Sequence, residues 1–278
     1  MDLNGGIAVD FSVVISVYSG DDVEHFTDAM NSILHQTLTP HEVILGIDGP
    51  ISDNMEYVIQ NFQNKNPILK LVRSDKNIGR GGIKHLAISS TTTNLIAIMD
   101  ADDISVNNRF EVQAEMFAKN DFDLVGGYIS EFSDKVDRRS SIREVPLEHE
   151  NIIEKGKWIQ PYNHVTVMFK KSTYIASGGY GKLRMVEDYD LFFRMAMNGA
   201  VFCNVPKILV YVRTPDDQYL RRHGTEYFKE EFALIVRMLR LGYINHWVFV
   251  HSVAIRLVAR TMPVILLRFF TQHFLRGK

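Results

Sequence analysis

The chain has 278 residues, 46% of them hydrophobic, which is enough to bury a large core as one domain or as a domain with an appendage. Its 31 basic and 33 acidic residues leave a formal net charge of −2, which excludes the positive field typical of nucleic-acid-binding proteins. The single cysteine, Cys203, excludes an internal disulfide bond and a cysteine-cluster zinc site. We expect this cysteine to be buried in a protein of a reducing compartment.

Two further absences bear on location. Met1 to Asp10 lack a basic start followed by a long apolar segment, which argues against a signal peptide. No uninterrupted apolar run reaches the roughly 18 residues that a transmembrane helix needs. The sequence therefore predicts a protein that is made in the cytoplasm and stays there.

The first half of the sequence alternates strand and helix signals. It predicts strands over 11–17, 41–47, 68–72 and 94–99, and helices from about 22, over 54–64 and from the glycine-rich segment 77–82 onwards. Strands that alternate with helices pair in parallel, with the crossover helices on the faces of the sheet. We therefore predict an α/β fold with a mostly parallel central sheet flanked by helices.

The middle of the sequence is less regular. It predicts a strand over 123–129, a mobile charged loop over 134–143, a β-branched strand over 163–169, a flexible glycine-rich connector over 177–181 and a helix over 187–198. A change in composition near Asp216 and Asp217 marks a boundary. We place a catalytic body in residues 1–215 and a helical C-terminal region in residues 216–278.

The C-terminal region differs from the body in charge. No acidic residue follows Glu231, whereas basic residues are interspersed among apolar ones at Arg237, Arg240, Arg256, Arg260, Arg268, Arg276 and Lys278. The segment Ile244 to Phe274 is typical of a helix in the membrane interface with arginines toward anionic lipid, and Pro263 should bend or end it. The alternative is a pair of helices packed on the body with the arginines facing water.

The strongest chemical signal is the acidic tetrapeptide Asp100-Ala101-Asp102-Asp103, which follows the apolar run 94–99. Residues two apart in an extended segment point the same way, so Asp100 and Asp102 can converge on one point. Ligands of open α/β sheets bind at this strand edge, and two carboxylates suit a Mg²⁺ or Mn²⁺ ion that also holds phosphate oxygens. The alternative is that the acids only cap the next helix.

Two turns in the first half carry weaker signals. The glycines of segment 77–82, at a strand-to-helix junction, permit close approach of a phosphate, with Arg80 and Lys84 as counter-charges. A plain helix start fits the same residues. Asp48, at the end of the second strand, suits hydrogen bonds from a nucleoside or the ordinary role of an aspartate in a turn.

Glu187 and Asp188 stand between the glycine-rich connector and an apolar helix. Acids in the first turn stabilise a helix electrostatically, which is one interpretation of the pair. The functional interpretation is that one carboxylate accepts a proton from an attacking hydroxyl. Such a base must lie within hydrogen-bond reach of the nucleophile and stay ionised, which a helix N-terminus favours.

In chain order these motifs resemble the family 2 glycosyltransferases with the GT-A fold. The resemblance spans residues 11–213 and rests on Val14-Ile15-Ser16-Val17-Tyr18, Asp48-Gly49, Asn77-x-Gly79, Asp100-Ala101-Asp102-Asp103 and Glu187-Asp188. Bacterial amylovoran and O-antigen transferases are similar at Asp48-Gly49-Pro50, the segment Asn163 to Phe169 and Glu187-Asp188-Tyr189. The sequence departs from the family at Ile47, where many members carry another acid, and at Lys84-His85, where Arg-Asn is frequent.

The resemblance implies roles for individual residues. The donor site takes Ser16, Val17 and Tyr18 around the nucleoside, Asp48 at its base, Arg80 or Lys84 near the ribose or diphosphate, and Asp100 with Ala101. Asp102 ligates the metal directly, whereas Asp100 contacts the metal through water or the ribose. Asp188 is the catalytic base, and Glu187 organises the acceptor site. For His164 a satisfied structural role is favoured over a role as a ligand.

The reaction that the resemblance implies is an inverting transfer of a hexose from a nucleoside diphosphate sugar, expected to be UDP-linked, with Mn²⁺ or Mg²⁺. The expected acceptor is a saccharide on a polyprenyl diphosphate at the cytoplasmic face of the inner membrane, in surface-polysaccharide synthesis. A non-catalytic sugar-nucleotide-binding scaffold or sensor is the alternative, but Asp102 and Asp188 are both present. A nucleotidyltransferase would require a glycine- and lysine-rich first loop, whereas Ser19-Gly20-Asp21-Asp22 is acidic.

Overall fold

The computed structural model describes residues 9–133, 136, 139–214 and 224–261. The strands are β1 (Phe11–Tyr18), β2 (Glu42–Asp48), β3 (Leu69–Ser74), β4 (Leu95–Asp100), β5 (Ile104–Ser105), β6 (Leu124–Phe132), β7 (Arg139–Arg143), β8 (Met168–Lys170) and β9 (Phe202–Arg213). The helices are α1 (Val23–Leu34), α2 (Asp53–Lys65), α3 (Arg80–Ser90), α4 (Arg109–Lys119), α5 (His149–Gly156), α6 (Lys171–Ala176), α7 (Glu187–Met197), α8 (Thr225–Arg240) and α9 (His246–Thr261).

The strands form one mixed sheet in the order β3-β2-β1-β4-β8-β6-β9-β5, with β7 paired to β6. Strands β1 to β4 are parallel, as are β6 and β9, whereas β8 runs antiparallel between β4 and β6. The register places Tyr18 opposite Asp48 and Ser16 opposite Asp100. The carboxyl ends of β1, β2 and β4 therefore meet at one edge, and the predicted α/β class is confirmed.

The first crossover illustrates how the sequence builds this layer. The Asp22 side chain accepts the amides of Glu24 and His25, which caps α1. Along α1, Phe26 and Met30 fall on one face and are fully buried against the sheet. Removing a ring such as that of Phe26 typically costs about 3–5 kcal/mol of stability because the cavity does not close.

Helices cover both faces of the parallel strands, which explains why these strands are apolar throughout. In β1, Val13 and Ile15 belong to the core under α1 and α2, while Val14 belongs to the core on the opposite face. Every residue of β2 is buried, from Glu42 to Asp48. The alternation that marks a half-exposed strand is therefore absent from this part of the sequence.

Two predictions for the middle of the chain were wrong. The segment 134–143 was expected to be a mobile loop, but Arg139–Arg143 forms β7 and pairs antiparallel with β6. The segment 163–169 was expected to be one strand, but His164–Thr166 forms a 3-10 turn before β8. The Thr166 hydroxyl donates to the Asn163 carbonyl at 2.7 Å, a local bond that competes with strand pairing.

Cys203 is half-buried, not buried as predicted. It follows Phe202 on β9, and successive residues of a strand point to opposite faces. The ring of Phe202 enters the core between α5 and α7, so the cysteine faces the other way.

The C-terminal helices α8 and α9 pack on α7. Leu234, Ile235 and Met238 of α8 form a separate core with Val186 and Phe193. No helix in the described part of the chain is long and apolar enough to cross a membrane. The predicted boundary at Asp216 and Asp217, and Pro263, lie outside the described residues.

The arginines of α9 point inward, contrary to both orientations considered from the sequence. Arg260 donates to both carboxylate oxygens of Glu231 on α8, at 2.8 and 2.9 Å. Arg256 lies 3.5 Å from the same carboxylate and donates to the Trp158 carbonyl at 2.7 Å. Glu231, the last acid of the chain, is therefore the internal partner of two arginines.

Candidate active site

The side chain of Asp100 lies at the end of β4 and is about one third exposed. It faces the cleft, by which we mean the space between the carboxyl ends of β1, β2 and β4 and the start of α7 at Glu187. Lys84 of α3 is buried beneath it and donates to Asp100 Oδ1 at 2.6 Å. Burial opposes ionisation of Asp100, but the charge and hydrogen bond of Lys84, with the charge of Arg80, outweigh it and hold the pKa of Asp100 well below its usual value. Lys84 thus has a partner inside the protein, and its predicted contact with the donor stays a prediction.

The rest of the acidic turn is held by Arg213, at the end of β9. Its amide donates to Asp103 Oδ1 at 2.9 Å, and its guanidinium donates to the Asp102 carbonyl at 3.2 Å. Burial raises the pKa of Asp103 well above its usual value, and the charges of Asp102 and Asp100 add to the rise. Ala101 is buried in the core, so the turn is anchored on both sides.

Asp48 organises the glycine-rich segment. Its two carboxylate oxygens accept the amides of Ile78 at 2.7 Å and Gly79 at 3.0 Å. Gly49, which follows it, has φ +83°, and a Cβ there would lie 2.8 Å from the Asn77 amide nitrogen. The close approach of the loop 77–79 to the end of β2 thus requires the Asp48-Gly49 pair. The predicted contact of Asp48 with a nucleoside stays a prediction.

At the end of β1, Ser16 and Tyr18 face the cleft edge, whereas the Val17 side chain is buried in the core. Only the main chain of Val17 is available to a ligand. The Tyr18 amide donates to Asp21 Oδ2 at 2.9 Å. Burial, together with the charges of Asp102 and Asp100, raises the pKa of Asp21 to about 7, against the hydrogen bond from the Tyr18 amide.

Glu187 and Asp188 begin α7 on the other side of the cleft. The Tyr189 amide donates to Asp188 Oδ1 at 2.7 Å, which orients that carboxylate. Arg80 Nε lies 4.0 Å from Glu187 Oε1. Burial and the charge of Asp188 raise the pKa of Glu187 to about 7, against the attraction of Arg80.

The glycine-rich connector is held by arginine. Arg194 of α7 donates to the carbonyls of Ser177 and Gly179 and pairs with Asp190, which is fully buried. Arg237 of α8 donates to the second oxygen of Asp190 at 2.6 Å. The C-terminal helices are therefore tied to the helix that carries Glu187 and Asp188.

Sequence reasoning missed four positioning contacts. It did not find Asp21 and Arg213 as site residues, nor the pairing of Lys84 with Asp100 and of Arg237 with Asp190. The only available signal was the acidic character of the loop after β1, which was used solely against a nucleotidyltransferase. The basic residues Lys84, Arg213 and Arg237 lie on elements that are distant in sequence from their acidic partners. No local sequence pattern reveals such pairs.

The carboxylates of Asp100 and Asp102, at and just after the end of β4, fit a divalent ion that is shared between protein and substrate. Among the described residues, no three His, Cys, Asp or Glu side chains are grouped so as to hold an ion by themselves. Mg²⁺ is commonly bound by one or two carboxylates together with substrate phosphates and water. The charges of Asp102 and Asp100 add to the effect of burial on the pKa of Asp21, and a cation at this edge would offset that negative charge.

The sequence from residue 12 to residue 181 matches the family model for Glycosyl transferase family 2, and the chain belongs to this family. An uncharacterized glycosyltransferase of Haemophilus influenzae is 33% identical, covering 96% of this chain and 99% of that protein. The amylovoran biosynthesis glycosyltransferase AmsE of Erwinia amylovora is 31% identical, covering 96% and 100%. The UDP-Gal:alpha-D-GlcNAc-diphosphoundecaprenol beta-1,3-galactosyltransferase of Escherichia coli is 30% identical, covering 91% and 92%.

Solved structures agree on the fold. TarS of S. aureus, residues 1–349 with UDP-GlcNAc, matches with a TM-score of 0.68 over 95% of this chain and 78% of that chain, at 15% identity. The mannosyltransferase PcManGT of Pyrobaculum calidifontis, with GDP-Man and Mn²⁺, matches with a TM-score of 0.64 over 95% and 80%, at 14% identity. The predicted GT-A fold and the resemblance to amylovoran and O-antigen transferases are confirmed.

Proposed function

We propose that this family 2 glycosyltransferase moves a hexose, with inversion, from a UDP-sugar to a saccharide on a polyprenyl diphosphate. One observation carries the proposal. Arg80 Nε lies 4.0 Å from Glu187 Oε1, and the carboxylates of Glu187, Asp100, Asp188 and Asp102 together raise the pKa of this exposed guanidinium. Acids from the end of β4 and from the start of α7 therefore face one guanidinium across a single cleft.

In the proposed mechanism Asp188 acts as the general base. Its carboxylate accepts the proton of the acceptor hydroxyl while that oxygen attacks the anomeric carbon from the face opposite the diphosphate. The bond between the anomeric carbon and the diphosphate oxygen breaks, UDP leaves with the electron pair, and the configuration inverts. A positioned base contributes about 10²–10⁴-fold to such a step.

The basic side chains act on the donor side. Lys84 holds Asp100 in place, and Arg80 adds positive charge where the diphosphate leaves. When bound, Mg²⁺ or Mn²⁺, held by Asp102 with Asp100 nearby, neutralises charge on the diphosphate. The Mn²⁺ present with GDP-Man in PcManGT supports divalent metal use by this fold.

The choice of substrates rests on the relatives. The Escherichia coli relative that covers most of this chain is named for UDP-Gal and a GlcNAc-diphosphoundecaprenol acceptor. A second one, over a shorter stretch, is named for UDP-Glc with the same acceptor. We therefore propose UDP-Gal or UDP-Glc as donor, a GlcNAc-diphospholipid as acceptor, and a role in O-antigen or exopolysaccharide synthesis.

The test is a donor panel with a synthetic GlcNAc-diphospholipid and Mn²⁺ or Mg²⁺. We expect UDP release that depends on the acceptor and a product whose new linkage is of opposite anomeric configuration, as seen by NMR. Retention of configuration would refute the mechanism. Tight binding of UDP-sugars without turnover, across the panel and with both metals, would instead favour a non-catalytic scaffold.

We further propose that α9 docks the enzyme on the membrane that carries the acceptor. Trp247, Val250, Ile255, Leu257 and Val258 are each 48–60% exposed, and no Asp, Glu, Lys or Arg is exposed between residues 245 and 259. Helices that lie in the interface insert such a face to a shallow depth. Because the α9 arginines are occupied by Glu231, we expect apolar insertion to dominate over attraction to anionic lipid.

Vesicle co-sedimentation tests this membrane contact. Full-length protein should bind neutral as well as anionic vesicles, with little loss at high salt, and the double change Trp247→Ser and Val258→Ser should release it. Tyr57→Ser, on the exposed face of α2, is the matched control and should change nothing. Binding only to anionic vesicles at low salt would contradict apolar docking, as would concentration-dependent dimers that the same double change dissolves.

A further inference from the structure

His164 occupies a rigid place beside the proposed active site. It begins the 3-10 turn, whose backbone is tied to β4 because the Ile98 amide donates to the Val167 carbonyl at 3.0 Å. The Asn163 side chain donates to the Gly127 carbonyl at 2.8 Å on the neighbouring strand β6. The turn therefore has little freedom to move relative to the end of β4.

The imidazole ring is fixed as well. It packs between the rings of Tyr180 and Phe192, with centroids 6.0 and 5.8 Å away. The Tyr180 hydroxyl lies 3.2 Å from His164 Nε2. Such packing holds a side chain in one orientation before any substrate arrives, which reduces the entropy lost on binding.

The protonation of the ring follows from its surroundings. Burial and the charge of Lys84 lower the pKa of His164 to about 4, against Asp188 and Asp100, so the ring is neutral near pH 7. Burial raises the pKa of Tyr180 well above its usual value, so its hydroxyl keeps its proton. A phenol donates well to a neutral imidazole nitrogen, which leaves the single ring proton of His164 on Nδ1.

That Nδ1 atom is buried and has no hydrogen-bond partner among the described residues. The sequence favoured a satisfied structural histidine, and the structure corrects this point. A buried donor without a partner is costly, and such groups are retained where a ligand completes them. The turn is tied to β4, which ends in Asp100, and the charges of Asp188 and Asp100 both act on the ring, so His164 lies between the proposed base and the metal edge.

We propose that His164 Nδ1–H binds a sugar hydroxyl at the reaction centre and contributes to the choice of sugar. The inference rests on the proposed function, because it requires a sugar between Asp100 and Asp188. The hydroxyl belongs to the transferred hexose or to the acceptor sugar, and the ring recognises either in the same way. A site built to hydrogen-bond a hydroxyl discriminates strongly against analogues that lack it.

Three substitutions separate binding from a structural role. His164→Asn retains an amide donor near the position of Nδ1, His164→Gln places its amide near Nε2, and His164→Phe keeps the ring packing without a donor. His85→Phe is the matched control, because His85 also pairs with a tyrosine but its Nδ1 already lies 2.8 Å from the Tyr174 hydroxyl. All variants are compared by thermal unfolding, by calorimetry with UDP and with the UDP-hexose, and by turnover.

We expect His164→Phe and His164→Gln to lower kcat/KM about 10- to 100-fold with unchanged affinity for UDP, while His164→Asn and His85→Phe stay within about fivefold of the wild type. A weaker affinity for UDP-hexose assigns the hydroxyl to the donor. A raised KM for the lipid acceptor alone assigns it to the acceptor.

Wild-type kcat/KM in His164→Phe would overturn the inference, as would equal losses of UDP affinity and thermal stability in all three variants. Failure of the proposed function is a separate result: the wild type would bind UDP-hexose yet make no product. In that case binding alone decides: His164→Phe should weaken the affinity for UDP-hexose or the affinity for the lipid acceptor, and unchanged affinity for both would refute the contact.

Discussion

The sheet has a parallel half, strands β1 to β4, and a mixed half, strands β5 to β9. The two halves build their parts of the site by different means. In the parallel half, Asp48 and Asp100 stand at strand ends, and the topology alone brings them to one edge. In the mixed half, β5 and β8 have only two and three residues, so pairing alone holds them weakly. There the positions of Asp103 and Asp190 depend on partly buried bonds to Arg213 and Arg237. The first half is positioned by its strands, and the second by side-chain networks.

The largest effect should come from a change in the parallel half that leaves its strands intact. Asp102→Ala is expected to lower turnover by on the order of 10³-fold or more, because removing even one group that stabilises developing charge costs about 10²–10³-fold. Thermal unfolding should change little, since Asp102 follows β4 in a turn that Arg213 holds through the main chain. Turnover with and without Mn²⁺ or Mg²⁺, together with circular dichroism, measures both effects.

Asp103→Asn is the matched comparison for Asp102→Ala, because its carboxyl is buried and bonded within the protein. It should affect stability more than metal-dependent turnover. Near-normal activity of Asp102→Ala without a divalent metal would show that the metal assignment is wrong.

Asp188→Asn tests the facing side of the cleft. The amide keeps the size of the carboxylate but cannot take a proton, so turnover should fall about 10²–10⁴-fold while UDP-sugar affinity is preserved. Calorimetry of UDP-sugar binding beside a turnover assay separates the two quantities. Equal losses of binding and rate would remove Asp188 from the role of base.

Much of this arrangement could be predicted from local sequence patterns. Strands ending in Asp48 and Asp100 are continuous apolar runs stopped by turn residues, and the helix that starts at Glu187 is amphipathic and acidic in its first turn. Both signals are local, because they depend on the spacing of apolar residues along one element and on the residues at its ends. They placed the acids at the cleft edge.

The remaining features depend on partners far apart in sequence. Arg260 was expected at a lipid or water surface, but Glu231 lies on the facing helix and a paired guanidinium is stable in a half-buried position. The turn at His164 looked like a strand because Val165 and Thr166 are β-branched, but bonds to the main chain fold it instead. β-branched residues alone do not determine whether such a segment forms a strand or a turn.

The network of the mixed half is tested at Asp190, two residues from the proposed base. Asp190→Asn should cost roughly 3 kcal/mol or more of unfolding free energy, because Arg194 would be left buried without its charged partner. Urea unfolding measures this cost, and Asp188→Asn on the same helix is the matched control with little expected change. Equal stability of the two variants would contradict the claim that side-chain networks position this half.

A smaller, pH-dependent effect is expected at Glu187, the neighbour of the base. The folded state raises its pKa to about 7 from 4.5 in an unfolded chain, so between these values the folded protein holds a proton that the unfolded chain has released. This contribution to stability is present near pH 4.5 to 5 and is lost as the pH rises through 7. Glutamine is neutral throughout, so Glu187→Gln should gain stability relative to the wild type between pH 5 and pH 8, by at most about 3 kcal/mol.

Urea unfolding of both proteins at pH 5 and at pH 8 measures the difference for Glu187→Gln, with Glu24→Gln on the exposed start of α1 as control. The control difference should be small and equal at the two pH values, because the Glu24 side chain lies in water. If the Glu187→Gln difference is also independent of pH, the carboxyl is not held protonated by its surroundings. The start of α7 would then be positioned by the helix alone, as the acids of the parallel half are positioned by their strands.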